Sequence, residues 1–112
     1  MDCLFCKIAA GEIPSNKLYE DGQVLAFYDI DPQAPVHFLV IPKQHIASPA
    51  GITAENSGVV AHAFTVIARL AQELGLENGY RVVTNCGKDG GQSVPHLHFH
   101  VLAKRSLAWP PG

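Results

Sequence analysis

The chain has 112 residues, eight Lys or Arg against ten Asp or Glu, a formal net charge of -2, and 47% hydrophobic residues. These values describe one ordinary globular domain, residues 1–112, and exclude a disordered chain or a polyanion-coating one, so no nucleic-acid partner is expected. No apolar run approaches the roughly 20 residues that span a bilayer, and MDCLFCKIAAGEIP lacks the basic start and long apolar stretch of a signal peptide, which predicts a cytoplasmic protein with no membrane partner.

In chain order, Leu4, Phe5, Ile8 and Ala9 fall at helical spacing within residues 3 to 10, and Gly11 with Pro14 ends this short leading helix. KLYE (17–20) and QVLAFYDI (23–30) read as antiparallel strands around Asp21-Gly22, a pair that supplies positive φ for a tight hairpin turn. DPQAP turns the chain into a third strand, VHFLVIP (36–42), on which His37, Leu39 and Ile41 share a face. A loop-like stretch, 43–57, leads into one long helix from about Thr53 to Leu74; its stripe is Val60, Phe64, Ile67, Ala71 and Leu74, and Gly75 closes it. YRVVTN (80–85) and HLHFHVL (96–102) are two further strands joined by CGKDGGQSVP, whose glycines permit unusual backbone angles. Residues 103–112 form a tail without regular pattern. The sum is an α+β fold: a five-stranded antiparallel sheet, one long helix and a short N-terminal helix.

The chemistry concentrates in HLHFH, residues 96–100. Alternation along a strand places His96, His98 and His100 on one face and Leu97, Phe99 and Val101 on the other. Three explanations compete. A half-buried strand can carry histidines by accident; neutral imidazoles two residues apart can converge on zinc; or one histidine acts chemically while its neighbours fix its orientation and protonation state. The preceding GKDGGQS loop favours the last, because its glycines let backbone N–H groups approach an anion and Ser93 and Asn85 add neutral donors. Lys88, the loop's one cation, is read as a solvated tip residue.

The H-L-H-F-H-V-L run resembles the signature of the histidine triad (HIT) superfamily. YEDGQVLAFYDIDPQAPVHFLVIPKQHI, GYRVVTNCGKDGGQSVPHLHFHVL and the closing WPPG resemble its nucleotide-binding Hint branch; only about residues 47–58 lack a motif. Ser93 points to that branch rather than to the Fhit-like dinucleoside polyphosphate hydrolases, which usually carry Gln there. The resemblance implies a purine nucleoside phosphoramidase that hydrolyses the P–N bond of adenosine or guanosine 5'-phosphoramidates, with aminoacyl adenylates as further substrates and AMP or GMP as bound nucleotides. His98 would be the nucleophile that forms a covalent nucleotidyl-histidine, its Nδ1 proton held by the carbonyl of His96. Asn85, the backbone of Gly91, Gln92 and Ser93, the Ser93 hydroxyl and His100 would meet the phosphoryl oxygens. His37 would support the triad by hydrogen bonding, although a strand histidine capping a local carbonyl is the plainer alternative. Asp29 would bind the ribose hydroxyls, against the ordinary alternative of a strand-end Asp before a turn. Leu4, Phe5, Ile8, Phe27, Ile30 and Leu39 would line the base pocket; without the resemblance all six read as core. Tyr28 departs from the His common at its position, so no contact is carried over to it.

Cys3-x-x-Cys6 is half a zinc motif, and on a short helix such a pair is more often plain packing. Some bacterial family members complete it with a histidine after the third strand and the first triad histidine, here His45 and His96, giving a structural Cys2His2 zinc site while catalysis itself needs no cofactor. Three cysteines without framework spacing suit a reducing compartment, and Cys86 reads as a small buried residue. So short a chain gains stability from a partner, and the resemblance implies a homodimer joined through the long helix and the fifth strand into one continuous sheet, with Trp109 reaching toward the other subunit's site. Two rivals of other classes remain: a nucleotide-binding scaffold with incidental hydrolysis, and a zinc enzyme that uses all three histidines as ligands.

Overall fold

The computed structural model describes residues 3–112. Helix α1 (Leu4–Ala9) is followed by β1 (Lys17–Glu20), β2 (Val24–Tyr28), β3 (Val36–Pro42), a 3-10 turn at Pro49–Gly51, helix α2 (Gly58–Glu73), β4 (Tyr80–Val83) and β5 (Phe99–Ala103). The strands form one antiparallel sheet in the order β1-β2-β3-β5-β4. Among the described residues no helix is long and apolar enough to cross a membrane.

Both faces of this sheet are covered, and the period-two alternation of the strands decides which side chains go where. Val24, Ala26, Phe38, Val40, Phe99 and Val101 pack with Leu97 against Ala63, Val66, Ile67 and Leu70 of α2. Leu25, Phe27, Leu39 and Ile41 face the other way, onto Cys3, Phe5 and Ile8 of the leading helix. A fully buried Val, Leu, Ile or Phe contributes about 1.5–3 kcal/mol, so the α2 side holds the larger share of the core. The α1 side is thinner, and it is there that the histidines emerge.

Four local expectations change. Gly22 does not adopt a positive φ; instead the Asp21 carboxylate closes the hairpin by accepting from the N–H groups of Gln23 (2.7 Å) and Val24 (2.9 Å). Helix α2 starts at Gly58 because residues 53–56 are held by side chains: Thr53 N–H donates to Asn56 Oδ1 (2.7 Å) and Asn56 N–H to Thr53 Oγ1 (3.3 Å), a local alternative to the helical ladder. Its buried face runs through Ala63, Val66, Ile67, Leu70 and Ala71, so Phe64, at 47% exposure, sits on the flank of the stripe rather than in it. The last strand begins at Phe99 instead of His96. Pro95 has no N–H to give a ladder, His96 N–H turns back to the Val94 carbonyl, and Leu97 N–H donates to Ile46.

Strand β5 lies between β3 and β4 and is hydrogen-bonded on both sides. It therefore has no edge through which two sheets could join; on that side of the sheet the free edge belongs to β4.

Asp21 also ties the hairpin to the long helix, accepting from His62 Nε2 (2.6 Å) and the Tyr19 hydroxyl (2.8 Å). Together these donors hold its carboxyl far below the usual range against the opposing effect of burial. Replacing Asp21 with alanine is expected to cost about 1–3 kcal/mol, since four donors lose one acceptor. Urea unfolding measures this, and an unchanged midpoint would refute the assignment.

Candidate active site

The triad histidines are divided among different partners although their alternation persists beyond the ladder. Leu97, Phe99 and Val101 enter the α2-side core, and His96 and His98 are buried on the opposite side. His100, in register with Leu39 of β3 and Val83 of β4, is half-buried on the same side.

Hydrogen-bond partners fix the tautomers, because a peptide carbonyl only accepts and a peptide N–H only donates. His98 Nδ1 lies 2.6 Å from the carbonyl oxygen of His96, so Nδ1 carries the proton and Nε2 keeps its lone pair. The Phe5 ring stands edge-on to His98 with centroids 5.0 Å apart, and Thr84 Oγ1 donates to the His98 carbonyl (2.9 Å). His37 Nδ1 accepts from Gln33 N–H (3.0 Å), so its proton sits on Nε2, which donates to His100 Nδ1 (2.9 Å). The proton of neutral His100 is accordingly on Nε2. The His98 and His100 rings are 5.0 Å apart, and the site pairs an unprotonated nitrogen with a donor.

Burial is the main cause that lowers the affinity of His37 and His100 for a second proton; His98 and His37 add to it at His100, which is pushed down to about 4. Both therefore stay neutral in the fold at pH values where the unfolded chain, with histidines near 6.5, already takes up protons. The stability they allow is fully present above about pH 6.5 and is lost as pH falls from there toward about 4. The thermal midpoint is expected to drop between pH 7.5 and pH 5, with a shallower drop in His100→Gln; equal slopes would contradict this.

The His98 and His100 rings open on a cavity of about 910 Å³, whereas His37 and His96 do not line it. Of the anticipated pocket residues, Leu4, Phe5, Ile8, Phe27 and Leu39 line its apolar wall, while Asp29, Ile30, Ser93, His98 and His100 complete the lining. Ile30 is fully exposed at the rim. Asp29 Oδ1 accepts from Asp31 N–H (2.8 Å), and Oδ2 lies 3.4 Å from His37 Nε2, so the carboxylate both shapes its turn and faces the histidines.

Asn85, Gly91, Gln92 and Trp109 do not line the cavity. In the glycine loop, Gly91 N–H already donates to the Lys88 carbonyl and Gln92 N–H to that of Gly87, both at 3.0 Å. The Gln92 side chain is also occupied, donating to the carbonyls of Ala47 (2.8 Å) and Val94 (3.0 Å) and accepting from Gly87 N–H (3.0 Å). It bolts the loop to the body of the protein. Gly90 has a clear reason to lack a side chain, since a Cβ would stand 2.6 Å from the Cys86 carbonyl oxygen. Cys86 itself is exposed rather than buried, with its sulfur 3.6 Å from Ser48 Oγ. Trp109 is 80% exposed on a tail held by Arg81, whose guanidinium donates to the carbonyls of Leu107 and Ala108.

Sequence reasoning missed the lip formed by Ile13, Pro14, Ser15 and Asn16, together with Tyr28 and Val94. The IPSN segment signalled only the end of a helix. Ser15 Oγ is buried there with no hydrogen-bond partner among the described residues.

His96 belongs to a second cluster. Its Nε2 donates to the Pro42 carbonyl (2.8 Å), which leaves the Nδ1 lone pair facing Cys3 Sγ (3.3 Å), Cys6 Sγ (3.5 Å) and His45 Nδ1 (3.2 Å). Cys6 Sγ is also 3.2 Å from His45 Nδ1, and the four ligand atoms lie within 4.8 Å of one another. A tetrahedral zinc with bonds of about 2.1 Å to nitrogen and 2.3 Å to sulfur has edges of roughly 3.3–3.8 Å. The donor set fits such an ion, and the Pro42 carbonyl is the outer partner that commonly orients a metal-binding imidazole. Asp29, His37 and His100 form another grouping of potential ligands, but there His37 Nε2 is occupied by its proton. His96, His98 and His100 thus do not converge on one ion.

The sequence matches the HIT domain over residues 10–107. It is 52% identical to an uncharacterized HIT-like protein of Synechococcus elongatus over 99% of this chain and 97% of that one. Among solved structures, a HIT family hydrolase from Legionella pneumophila is 50% identical with a TM-score of 0.97, covering 99% of this chain and 100% of that one. A histidine triad nucleotide-binding protein from Candida albicans is 35% identical with a TM-score of 0.83, covering 97% and 83%.

Proposed function

The chain belongs to the HIT domain family, and from that premise we propose that it is a purine nucleoside phosphoramidase of the Hint type. The observation that carries this reading is the tautomer of His98: with Nδ1–H committed to the His96 carbonyl, Nε2 is a neutral nucleophile at a cavity walled by apolar side chains. A flat purine suits the Phe5–Phe27 wall, whose rings meet edge to face at 5.6 Å. The free lone pairs of the Asp29 carboxylate suit the ribose hydroxyls. The 50% identity to a HIT family hydrolase supports hydrolysis, and likeness to a histidine triad nucleotide-binding protein supports a nucleotide ligand.

In the proposed reaction His98 Nε2 attacks the α-phosphorus, an N–P bond forms, and the P–N bond to the leaving amine breaks as the amine takes up a proton from solvent. His100 Nε2–H and Ser93 donate to the phosphoryl oxygens as charge develops there. Water then attacks the phosphorus, the bond from phosphorus to His98 Nε2 breaks, and the water proton returns to solvent, releasing AMP or GMP and restoring neutral His98 with its proton on Nδ1. Cys3, Cys6, His45 and His96 would hold a structural zinc, which supplies cross-linking rather than chemistry. As for assembly, we assign a homodimer: the β4 edge is unpaired within the chain, Phe64 is half-exposed, and Trp109 stands outside its own cavity.

Incubation with adenosine 5'-phosphoramidate, followed by phosphorus NMR, tests the activity. AMP release that persists at assay temperature in the presence of a chelator is the expected result. Binding without turnover would leave a nucleotide-binding scaffold, and turnover that requires added metal would replace the histidine nucleophile by metal chemistry.

A further inference from the structure

The segment from Asp29 to His37 is wound around the His37 ring by its own hydrogen bonds. Asp29 N–H donates to the His37 carbonyl (3.0 Å), Asp31 N–H to Asp29 Oδ1 (2.8 Å), the Gln33 side-chain amide to the Asp31 carbonyl (3.0 Å), and Gln33 N–H to His37 Nδ1 (3.0 Å). From outside, Arg105 Nε donates to the Gln33 carbonyl (2.9 Å), while its Nη1 donates to Ser106 (3.2 Å). Gln33 is therefore gripped on both sides, by His37 from within the segment and by Arg105 from just beyond β5.

Such a grip matters because two neutral imidazoles joined by one hydrogen bond can share their protons in two ways. In one, His37 donates from Nε2 and His100 keeps its proton on Nε2. In the other, the proton of His37 moves to Nδ1, His100 donates from Nδ1, and His100 Nε2 becomes a lone pair. The second arrangement would turn a lone pair, instead of a donor, toward phosphoryl oxygens. Asp29 does not choose between them, since its Oδ2 lies within 3.4 Å of His37 Nε2 and 3.9 Å of His100 Nδ1 and can face the shared proton on either nitrogen. Gln33 N–H does choose, because a proton on His37 Nδ1 would confront another donor.

We propose that Gln33 and Arg105 are positioning residues: the Gln33 peptide N–H, held in place by Arg105, fixes the tautomers of His37 and His100 and so keeps His100 a donor. The catalytic consequence rests on the phosphoramidase reading, whereas the tautomers themselves do not. Arg105 thereby links the C-terminal tail to the active site without touching substrate.

Protein labelled with nitrogen-15 in its histidine rings reports each tautomer in long-range proton–nitrogen spectra, with no substrate present. The expected wild-type spectrum has His37 and His100 protonated on Nε2. In Gln33→Pro, which deletes the N–H, and to a lesser degree in Arg105→Ala, both signals move toward averaged positions, and Arg105→Lys restores them. In the same variants kcat falls, by roughly tenfold in Gln33→Pro, with KM within about twofold. Unchanged tautomers in Arg105→Ala or in a folded Gln33→Pro overturn the proposal; if the proline variant fails to fold, Arg105→Ala decides alone. Tautomers that shift as described in a protein that does not hydrolyse the phosphoramidate would instead refute the functional reading and leave this one standing.

Discussion

Replacing His98 with alanine is expected to lower phosphoramidate turnover by about 10⁴-fold or more while nucleotide affinity changes only severalfold. The asymmetry follows from what the side chain does. In the proposed reaction its Nε2 forms the bond to phosphorus, and no other described group presents an unprotonated nitrogen to the cavity: His100 carries its proton on Nε2, and His96 points Nδ1 away toward the cysteines. Affinity should rest on the wall of Leu4, Phe5, Ile8, Phe27 and Leu39, which the substitution leaves in place. The variant also strips the His96 carbonyl of its partner in a buried setting, at a cost of about 1–3 kcal/mol. Circular dichroism and a thermal scan must therefore accompany the kinetics. Mass spectrometry of wild-type enzyme quenched and digested at alkaline pH, where a phosphorus–nitrogen bond to histidine survives, should show a nucleotidyl adduct on the peptide that holds His98, absent in the variant. Turnover within tenfold of wild type in a folded His98→Ala protein would sink the nucleophile assignment.

Protein purified without chelator is expected to carry one zinc per chain, and Cys3→Ala to lose both the ion and thermal stability, with the midpoint lowered by about 10 °C or more. Helix α1 spans six residues, Leu4–Ala9, far below the length at which a helix sustains itself in water. Its hold on the sheet comes from Phe5 and Ile8 and from the cluster to which Cys3 and Cys6 belong. A zinc cross-link from the two thiols to His45 and His96 would join the start of the chain to the segments on either side of α2. Elemental analysis and calorimetry with and without chelator read both effects. A metal-free protein with unmodified Cys3 and Cys6 would eliminate the site.

Much of this molecule was legible from residue order because its strongest signals are local. The period-two alternation in VHFLVIP and HLHFHVL assigned side chains to the two sheet faces, and Leu97, Phe99 and Val101 lie in the core as that alternation requires. What could not be read was decided by partners far along the chain. Pro95 and the Ile46 carbonyl delay the last strand to Phe99, and the Pro42 carbonyl takes the His96 Nε2 proton, whereas the grouping of His96 with Cys3, Cys6 and His45 was readable through the family resemblance. The glycine loop was recognisable as a loop, but not that Gly91 and Gln92 spend their N–H groups inside it. Of the anticipated α2 stripe, Val60, Ile67, Ala71 and Leu74 lie in or against the core, and only Phe64 was misplaced, because a helix flank left half-open on its own chain has the same composition as one that is buried.

His96 has two jobs that use different atoms of one residue: its ring faces the cysteines and its carbonyl holds the proton of His98. Any substitution there removes the ring and keeps the peptide carbonyl, so losing the ring reaches His98 only through the buried space it vacates, into which the peptide can shift. Heat tolerance and turnover are therefore coupled at His96 through the placement of one backbone carbonyl.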